Sequence, residues 1–233
     1  MQQKLFDIDK QSKSYRAIRH DVVRKKQNEY CNTLHHPDEK INQIKKVLNE
    51  ICGWGDLSIL ELFAGQGNLT KVYADYGQVI ANEYKTKVFN KLIENVKDCS
   101  LVHCNRVDSF LDFHQLIALK QKFDVIDLDP YGFPNRFFPD IFLLIEHGIM
   151  FVTMPKPYVN ILNGITQAHL VSYYGEHNPS KDNIVERIVL WGLCHWRKVE
   201  LIDCVDCKSI WRFAFKVDKV KATEYTGVNN RKI

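Results

Sequence analysis

The chain has 233 residues, of which 45% are hydrophobic and 26% charged, a composition typical of a globular domain with one well-buried core. No stretch approaches the roughly 18 consecutive apolar residues of a membrane span, and the start of the chain lacks the apolar segment of a secretory signal. We therefore expect a soluble, cytoplasmic protein that does not contact a membrane.

The net charge of +4 is unevenly distributed. Residues 1–50 contain 11 Lys or Arg against 7 Asp or Glu, which leaves 21 of each sign in residues 51–233. The segment Lys10–Lys26 concentrates this excess, with seven basic side chains and one acidic one. Such a segment can neutralise the phosphates of a nucleic acid or form a solvated helix face, and both interpretations stay open. The residues that we predict to contact nucleic acid are Arg16, Arg19, Arg24 and Lys25.

The number and spacing of the cysteines predict neither disulfide bonds nor a metal site. There are seven, an odd number, scattered along the chain. Cys204 and Cys207 have CxxC spacing, but a four-ligand zinc site needs a second pair of ligands and no second CxxC exists. We therefore predict reduced thiols and no metal.

In chain order, the first predicted element is an amphipathic helix over Pro37–Ile51. Its apolar residues recur at helical spacing behind an acidic first turn, and the pattern ends at Gly53. Short apolar runs then alternate with helical patterns, which is the rhythm of a parallel, doubly wound, Rossmann-like sheet of the α/β class. Strands are predicted at 57–62, 78–82, 100–104, 123–129 and 148–153, and helices near 68–76, 85–97, 109–120 and 137–146.

The last third of the chain has a different pattern. A helix is predicted near 182–196, followed by strands at 198–207 and 209–217 that form an antiparallel hairpin at the sheet edge. Residues 155–180 contain Pro, Gly, Asn and aromatic residues without a clean period, which indicates an irregular connection or a lid.

The first predicted strand runs into a glycine-rich turn and then a helix, "ILELFAGQGNLT". Glycines at this turn allow a ligand to approach the backbone closely. The dinucleotide pattern GxGxxG fails here, and no GxxxxGK[ST] phosphate loop is present. The residues Glu61, Phe63, Gly65 and Gly67 instead resemble the first motif of class I S-adenosylmethionine-dependent methyltransferases, with an aromatic residue in place of the first glycine.

This resemblance implies a cofactor site for S-adenosyl-L-methionine. Glu61 would receive the amino group of the methionine part, while Gly65 and Gly67 would leave space for the cofactor. Glu83 ends the second strand, where a carboxylate can accept hydrogen bonds from ribose hydroxyls. After the third strand, either Asn105 or Asp108 could bind the adenine edge. The implied domains are a basic extension at 1–36, a class I methyltransferase domain at 37–218 and a tail at 219–233.

The fourth strand, "KFDVIDLDPYGFP", stops at acidic residues, a proline and a tyrosine. Methyltransferases that modify exocyclic base amines have Asp or Asn, Pro and an aromatic residue at this position. A base amine is a poor nucleophile, so a carboxylate and a backbone carbonyl must accept its hydrogens and position it. Asp129, the carbonyl of Pro130 and a stacking Tyr131 could fill these catalytic roles. We count Asp127 among the cofactor-binding residues, where it could act as a second acceptor or as a structural anchor.

The segment "DLDPYG" further resembles the Asp-Pro-Phe-Gly segment of the tRNA guanine-N2 dimethyltransferase family, whose next strand also has a Val-Thr step, here Val152 and Thr153. The resemblance covers residues 57–153. It departs from the family in two respects: we expect no counterpart of the family's C-terminal RNA-binding domain, and "MPKP" replaces Thr-Asp after the fifth strand. Alone, Asp-Pro-Tyr-Gly could also be a simple turn, since all four residue types favour turns.

The expected function is methylation of an exocyclic amine of a nucleic-acid base, with RNA favoured and DNA possible. Alternatives are a DNA adenine-N6 methyltransferase of phage or restriction type, a small-molecule methyltransferase, and a non-catalytic nucleic-acid-binding subunit with the same fold. A cytosine-C5 methyltransferase is excluded because the chain has no Pro-Cys nucleophile. A protein partner could supply target recognition.

Overall fold

The computed structural model describes residues 36–51, 56–157, 167–207 and 209–221. The chain divides into two units, Met1–His36 and Pro37–Ile233, and only the second is described below. The predicted nucleic-acid contacts at Arg16, Arg19, Arg24 and Lys25 lie outside the described residues, as does most of the predicted tail. The division into domains therefore stays a prediction.

The second unit alternates helices and strands as the sequence predicts. The helices are α1 (Pro37–Ile51), α2 (Asn68–Tyr73), α3 (Thr86–Val96), α4 (Ser109–Ala118), α5 (Gln167–Tyr174) and α6 (Lys181–Leu193). The strands are β1 (Leu57–Glu61), β2 (Gly77–Asn82), β3 (Val102–Asn105), β4 (Val125–Leu128), β5 (His147–Pro155), β6 (Arg197–Asp206) and β7 (Ile210–Lys219).

The seven strands form one sheet in the order β3-β2-β1-β4-β5-β7-β6. The first five are parallel, and β7 runs antiparallel to both β5 and β6. The predicted fold class is therefore confirmed: a doubly wound, mainly parallel sheet that ends in an antiparallel hairpin. The hairpin is joined to the sheet by its second strand, so β6 forms the edge.

Apolar clusters cover both faces of the sheet. One contains Ile44 of α1, Tyr73 of α2 and Leu92 of α3, and the other contains Phe113 of α4 and Ile184 of α6. All five side chains are fully buried, and burial of one large apolar side chain contributes roughly 1.5–3 kcal/mol. Helices on both faces leave the carboxyl ends of the parallel strands as the open rim, where ligands bind in such sheets.

Two connections differ from the prediction. The prediction of a helix near 137–146 is wrong, because the structure has two short 3₁₀ segments there, Pro134–Phe137 and Asp140–Leu143. Pro134 and Pro139 cannot donate the backbone hydrogen bonds of a longer helix. The expected irregular connection contains α5, where Leu170 and Tyr174 are buried against the second cluster. Among the described residues, no helix is both long and apolar enough to cross a membrane.

Candidate active site

The carboxyl ends of β1 and β4 lie side by side at the rim of the sheet. Glu61, the last residue of β1, is the register partner of Asp127 on β4 and of Ala81 on β2. The glycine turn after β1 and the Asp-Pro-Tyr segment after β4 therefore leave the sheet at neighbouring positions. The strand order thus brings together the two motifs that the sequence predicts for cofactor and acceptor.

The two glycines of the turn have different surroundings. Both have left-handed backbone angles, with φ +56° at Gly65 and +85° at Gly67. A side chain at Gly67 would begin 2.7 Å from Leu92 and 3.1 Å from Val96, so this glycine allows α2 to pack closely on α3. A side chain at Gly65 would meet nothing within 4 Å. Gly65 therefore faces open space of the kind that a cofactor could occupy, and Gly67 serves packing.

The aromatic residue of the motif, Phe63, packs inward. Its ring meets that of Phe137 edge to face, with the centroids 5.5 Å apart. Phe63 is half-buried and contacts the apolar cluster on that face of the sheet. It shapes the wall of the turn, and its predicted contact with the cofactor stays a prediction.

Glu61 lies beneath the turn, 2% exposed, and accepts a hydrogen bond from the hydroxyl of Thr70 at 2.6 Å. Burial and the nearby charge of Asp127 raise the pKa of Glu61 to about 8, although the Thr70 hydrogen bond opposes this shift. At neutral pH the carboxyl is therefore mostly protonated in the absence of a cation. The ammonium of a bound S-adenosylmethionine would provide such a cation, so this residue fits the predicted cofactor.

The residues predicted to bind ribose and adenine lie after β2 and β3. Glu83 is half-buried, and one of its oxygens accepts a hydrogen bond from the backbone N–H of Lys85 at 2.7 Å. Asp108 caps α4, accepting from two backbone N–H groups at 3.0 and 3.2 Å. Asn105, the last residue of β3, is half-buried. All three polar groups stand at the rim, and their cofactor contacts stay predictions.

Asp127 is completely buried and bound by protein groups. The guanidinium of Arg212 on β7 donates to both of its oxygens, at 3.1 and 2.7 Å, and the hydroxyl of Tyr73 donates at 2.7 Å. Arg212 is also fully buried. Of the roles proposed for Asp127, this arrangement favours the structural anchor, because its carboxylate already has protein donors on both oxygens.

Asp129 is the partly accessible carboxylate of the segment. Its Oδ2 lies 2.5 Å from the ammonium of Lys40 on α1, and its side chain is 18% exposed. Burial opposes ionisation of Asp129, but the positive charges of Lys40 and Arg212 and a hydrogen bond from Thr153 outweigh it and hold the pKa of Asp129 below its usual range. The structure therefore presents an ionised hydrogen-bond acceptor at the rim.

The two residues after Asp129 complete the predicted clamp. The carbonyl of Pro130 accepts a hydrogen bond from the N–H of Gly132 at 2.9 Å, which leaves its second lone pair for another donor. The ring of Tyr131 is 75% exposed, with the ammonium of Lys85 5.0 Å from its centroid. An exposed aromatic ring at this position can stack on a flat base.

Three residues around this site were not predicted from the sequence, and two of them left a signal. Lys40 lies on the apolar stripe of α1, four residues before Ile44, and Arg212 interrupts the apolar run of β7. Charged residues at such positions are almost never fully buried unless paired. The third, Thr153, stands out in the sequence only as part of a Val-Thr step. Among the described residues, no cluster of three or more His, Cys, Asp or Glu is placed to hold a metal ion.

A sheet of this order, with a glycine turn after its first strand and an Asp-Pro-aromatic segment after its fourth, defines a class I methyltransferase fold. A family model described as N2,N2-dimethylguanosine tRNA methyltransferase matches residues 13–184, about three quarters of the chain. The chain therefore belongs to this family, as the resemblance of its motifs implies.

Individual relatives agree with this assignment. The chain is 31% identical over 136 residues to the human tRNA (guanine(26)-N(2))-dimethyltransferase and 29% identical over 105 residues to that of Drosophila melanogaster. These matches cover 55% and 42% of this chain but only 20% and 18% of the relatives, so the chain matches about a fifth of their length.

Solved structures show the same fold. Trm1 from Pyrococcus horikoshii, in complex with S-adenosyl-L-methionine, superimposes with a TM-score of 0.63 at 17% identity over 79% of this chain and 56% of that one. Trm5b from Pyrococcus abyssi has a TM-score of 0.54 at 17% identity, over 76% of this chain and 48% of that one. At such identities the likeness concerns the fold.

Proposed function

We propose that this chain is an S-adenosylmethionine-dependent methyltransferase that modifies the exocyclic N2 amine of guanine in tRNA. The observation that carries the proposal is the partly accessible Asp129, held ionised beside Lys40 and followed by Pro130 and an exposed Tyr131. Family membership supports the choice of an RNA amine, because the relatives are named as tRNA guanine-N2 dimethyltransferases.

The geometry fits the needs of an aromatic amine. The lone pair on such a nitrogen is delocalised into the ring, and binding both of its hydrogens holds the nitrogen in line for attack. Asp129 can accept one hydrogen and the free lone pair of Pro130 the other, while Tyr131 stacks on a base drawn out of its helix. As the new N–C bond forms, the nitrogen becomes positively charged, and Asp129 stabilises this charge and is placed to receive the released proton.

The cofactor would occupy the rim beside the glycine turn. Gly65 leaves open space there, and Glu61 is buried beneath the turn. The backbone N–H of Lys85 donates to one carboxylate oxygen of Glu83, so the other oxygen can accept from the ribose. The structurally similar Trm1 is described in complex with S-adenosyl-L-methionine. When bound, the cofactor supplies an electrophilic methyl group on a sulfonium.

The cofactor assignment is tested by calorimetric titration of the purified chain with S-adenosylmethionine. We expect binding by the wild type and a loss of affinity of about tenfold or more in Glu83→Ala, since hydrogen bonds to a charged group contribute about 1.5–3 kcal/mol. Glu200→Ala, an exposed carboxylate on the edge strand β6, is the matched control and should bind like the wild type. Absence of wild-type binding, or unchanged affinity in Glu83→Ala, contradicts the assignment.

The reaction is tested by transfer of labelled methyl groups to tRNA, other RNA and DNA in parallel, followed by mass spectrometry of the nucleosides. We expect N2-methylated guanosine from tRNA, and a rate at least about a hundredfold lower in Asp129→Ala with cofactor affinity retained. Asp98→Ala, an exposed aspartate before β3 at the opposite end of the sheet, is the control.

Each other outcome of this assay identifies an alternative. Methylated adenine from DNA would support the DNA enzyme, and cofactor binding without turnover on any nucleic acid would support a non-catalytic subunit or a small-molecule methyltransferase. Because the chain matches only about a fifth of its curated relatives, a protein or second domain that supplies tRNA recognition is part of the proposal. We also propose a cytoplasmic location.

A further inference from the structure

Lys40 is buried and its ammonium contacts the predicted catalytic carboxylate. Its side chain is 5% exposed, and Nζ lies 2.5 Å from Oδ2 of Asp129, a residue 89 positions away in the chain. By contrast, Lys45 and Lys46 on the same helix are exposed. Burial of an ammonium is costly unless it is paired, so the position of Lys40 is specific to this contact.

We propose that Lys40 is a positioning residue of the methyl transfer: its ammonium holds the Asp129 carboxylate ionised and oriented toward the acceptor amine. The inference rests on the proposed function, in which Asp129 accepts a hydrogen of the base. Lys40 acts through Asp129 and does not itself contact the reacting atoms.

The helix that carries Lys40, α1, is held to the β6–β7 hairpin by hydrogen bonds. One turn further along α1, Gln43 donates to the backbone carbonyl of Arg212 at 3.1 Å and to Asp203 at 2.9 Å. Lys46 donates to the same Asp203 at 2.6 Å. These contacts anchor α1 on the β6–β7 hairpin, so the ammonium of Lys40 approaches Asp129 from a fixed direction.

The neighbouring strand also contributes to the ionisation of Asp129. Thr153 on β5 accepts a hydrogen bond from Arg212 at 2.9 Å, and its side chain helps Lys40 and Arg212 to hold the pKa of Asp129 below its usual range. The ammonium of Lys40, 2.5 Å from Oδ2, is the donor that orients the carboxylate, while each carboxylate oxygen can still accept a further hydrogen bond.

The charges around Asp129 give Lys40 its electrostatic role. Burial opposes the ionisation of Asp129, whereas Lys40 from α1 and Arg212 from β7 favour it. The pKa of the nearby Glu61 on β1 is raised mainly by its own burial and by Asp127 on β4, and the charge of Asp129 adds to this shift. The hydroxyl of Tyr73 from α2 binds Asp127. Because the guanidinium of Arg212 is already bound to Asp127 through two hydrogen bonds, the ammonium of Lys40 is the counter-charge devoted to Asp129.

The test compares pH–rate profiles of Lys40→Met, Lys40→Arg and the control Lys45→Met, an exposed lysine of the same helix, in single-turnover methyl transfer with saturating cofactor. Without Lys40, protonation of Asp129 should begin at higher pH. We expect the acid limb of Lys40→Met to move up by about one unit or more and its rate at neutral pH to fall about tenfold or more. Part of that loss should be recovered at alkaline pH, with unchanged affinity for S-adenosylmethionine.

The charge-conserving variant separates positioning from packing. Lys40→Arg should keep the acid limb of the wild type even if its rate is lower, and Lys45→Met should match the wild type in both. A Lys40→Met profile that is merely scaled down at every pH would overturn the proposal. A faster Lys40→Met would do so too, since Lys40 would then be obstructing the site.

Titration of the Asp129 carboxyl in the free chain tests the role of Lys40 without methyl transfer. It therefore separates a failure of this inference from a failure of the proposed function. The carboxyl carbon of Asp129, followed by ¹³C NMR in the free chain, should titrate at lower pH in the wild type and Lys40→Arg than in Lys40→Met. Equal titration in all three overturns the role of Lys40. If Lys40→Met does not fold, Lys40→Gln takes its place in both measurements. Absence of methyl transfer by the wild type, with the expected titration shift, would instead overturn the proposed function and leave only the electrostatic effect.

Discussion

The guanidinium of Arg212 and the carboxylate of Asp127 form a two-point ion pair in which neither side chain is exposed. The pair joins β7 to β4 across β5, the strand between them, and the hydroxyl of Tyr73 extends it to α2. Asp129, two residues further on, pairs with Lys40, and the charge of the same guanidinium helps to hold its pKa below the usual range. The structural anchor and the predicted catalytic residue therefore share one source of positive charge.

Arg212→Met should destabilise the fold strongly. The change leaves the carboxylate of Asp127 buried without its counter-ion, and removal of one partner of a buried pair costs roughly 3–5 kcal/mol. The free energy of unfolding, measured in denaturant, checks this. Lys216→Met, which removes the exposed ion pair with Asp218 on the same strand, should cost less than about 1 kcal/mol. Similar losses in the two variants would argue against the buried pair as an anchor.

Glu61 should make the stability of the chain decrease with pH. Its pKa is about 8 in the folded chain against an ordinary value of 4.5, so between these values the folded state binds more protons than the unfolded state. The stabilisation is complete below about pH 4.5 and is lost as pH rises toward 8. As the pH rises through this window, the free energy of unfolding of Glu61→Gln should increase relative to that of the wild type by up to ~1.4 kcal/mol per pH unit. Denaturant unfolding at several pH values measures this, and a pH-independent difference would count against a buried neutral carboxyl.

The two glycines of the turn should respond differently to substitution by alanine. Gly67→Ala places a methyl group 2.7 Å from Leu92 and should lower the free energy of unfolding by about 1–3 kcal/mol. Gly65→Ala meets nothing within 4 Å, and its cost, from the left-handed backbone, should be about 1–2 kcal/mol. S-adenosylmethionine affinity, measured by calorimetry, should fall in Gly65→Ala. Wild-type affinity in that variant would show that the cofactor does not use the open space.

The basic segment near the start of the chain gives a salt-dependent prediction. Neutralising its predicted nucleic-acid-binding residues should weaken tRNA binding and reduce the slope of log affinity against log salt by about 0.7–0.9 for each phosphate that the chain no longer neutralises. Filter binding over a range of salt concentrations measures the slope, and an unchanged slope would support the solvated-face interpretation. The substituted residues are Arg16, Arg19, Arg24 and Lys25, with Lys87, Lys91, Lys97 and Lys120 as exposed controls.

The strands and the two motifs were predictable because they depend on local patterns. Apolar runs of strand length, a glycine turn after the first and an Asp-Pro-Tyr segment after the fourth are all contiguous in the chain, and the sheet order then places the motifs together. The helix predicted near 137–146 failed because its apolar spacing was counted without the restrictions that Pro134 and Pro139 impose.

The cations of the site could not be predicted in the same way. Lys40 and Arg212 reach their carboxylates across 89 and 85 residues of chain, and no local pattern specifies such a pairing. In the sequence, each is visible only as a charged residue within an apolar stretch. Such a residue needs a charged partner, but the sequence does not show which one. The division of roles between Gly65 and Gly67 likewise depends on the packing of α2 against α3.

The position of β7 has a consequence for synthesis of the protein. Among the described strands β7 comes last in the chain, yet it lies between β5 and β6 and brings Arg212 to Asp127. A nascent chain that stops before Ile210 would have an unpaired edge on β5 and a buried carboxylate without its counter-ion. Unpaired edges and unstable packing are features by which chaperones and proteases act on incomplete chains. Completion of the sheet and assembly of the site are thus one event, so a prematurely terminated product should be degraded rather than accumulate.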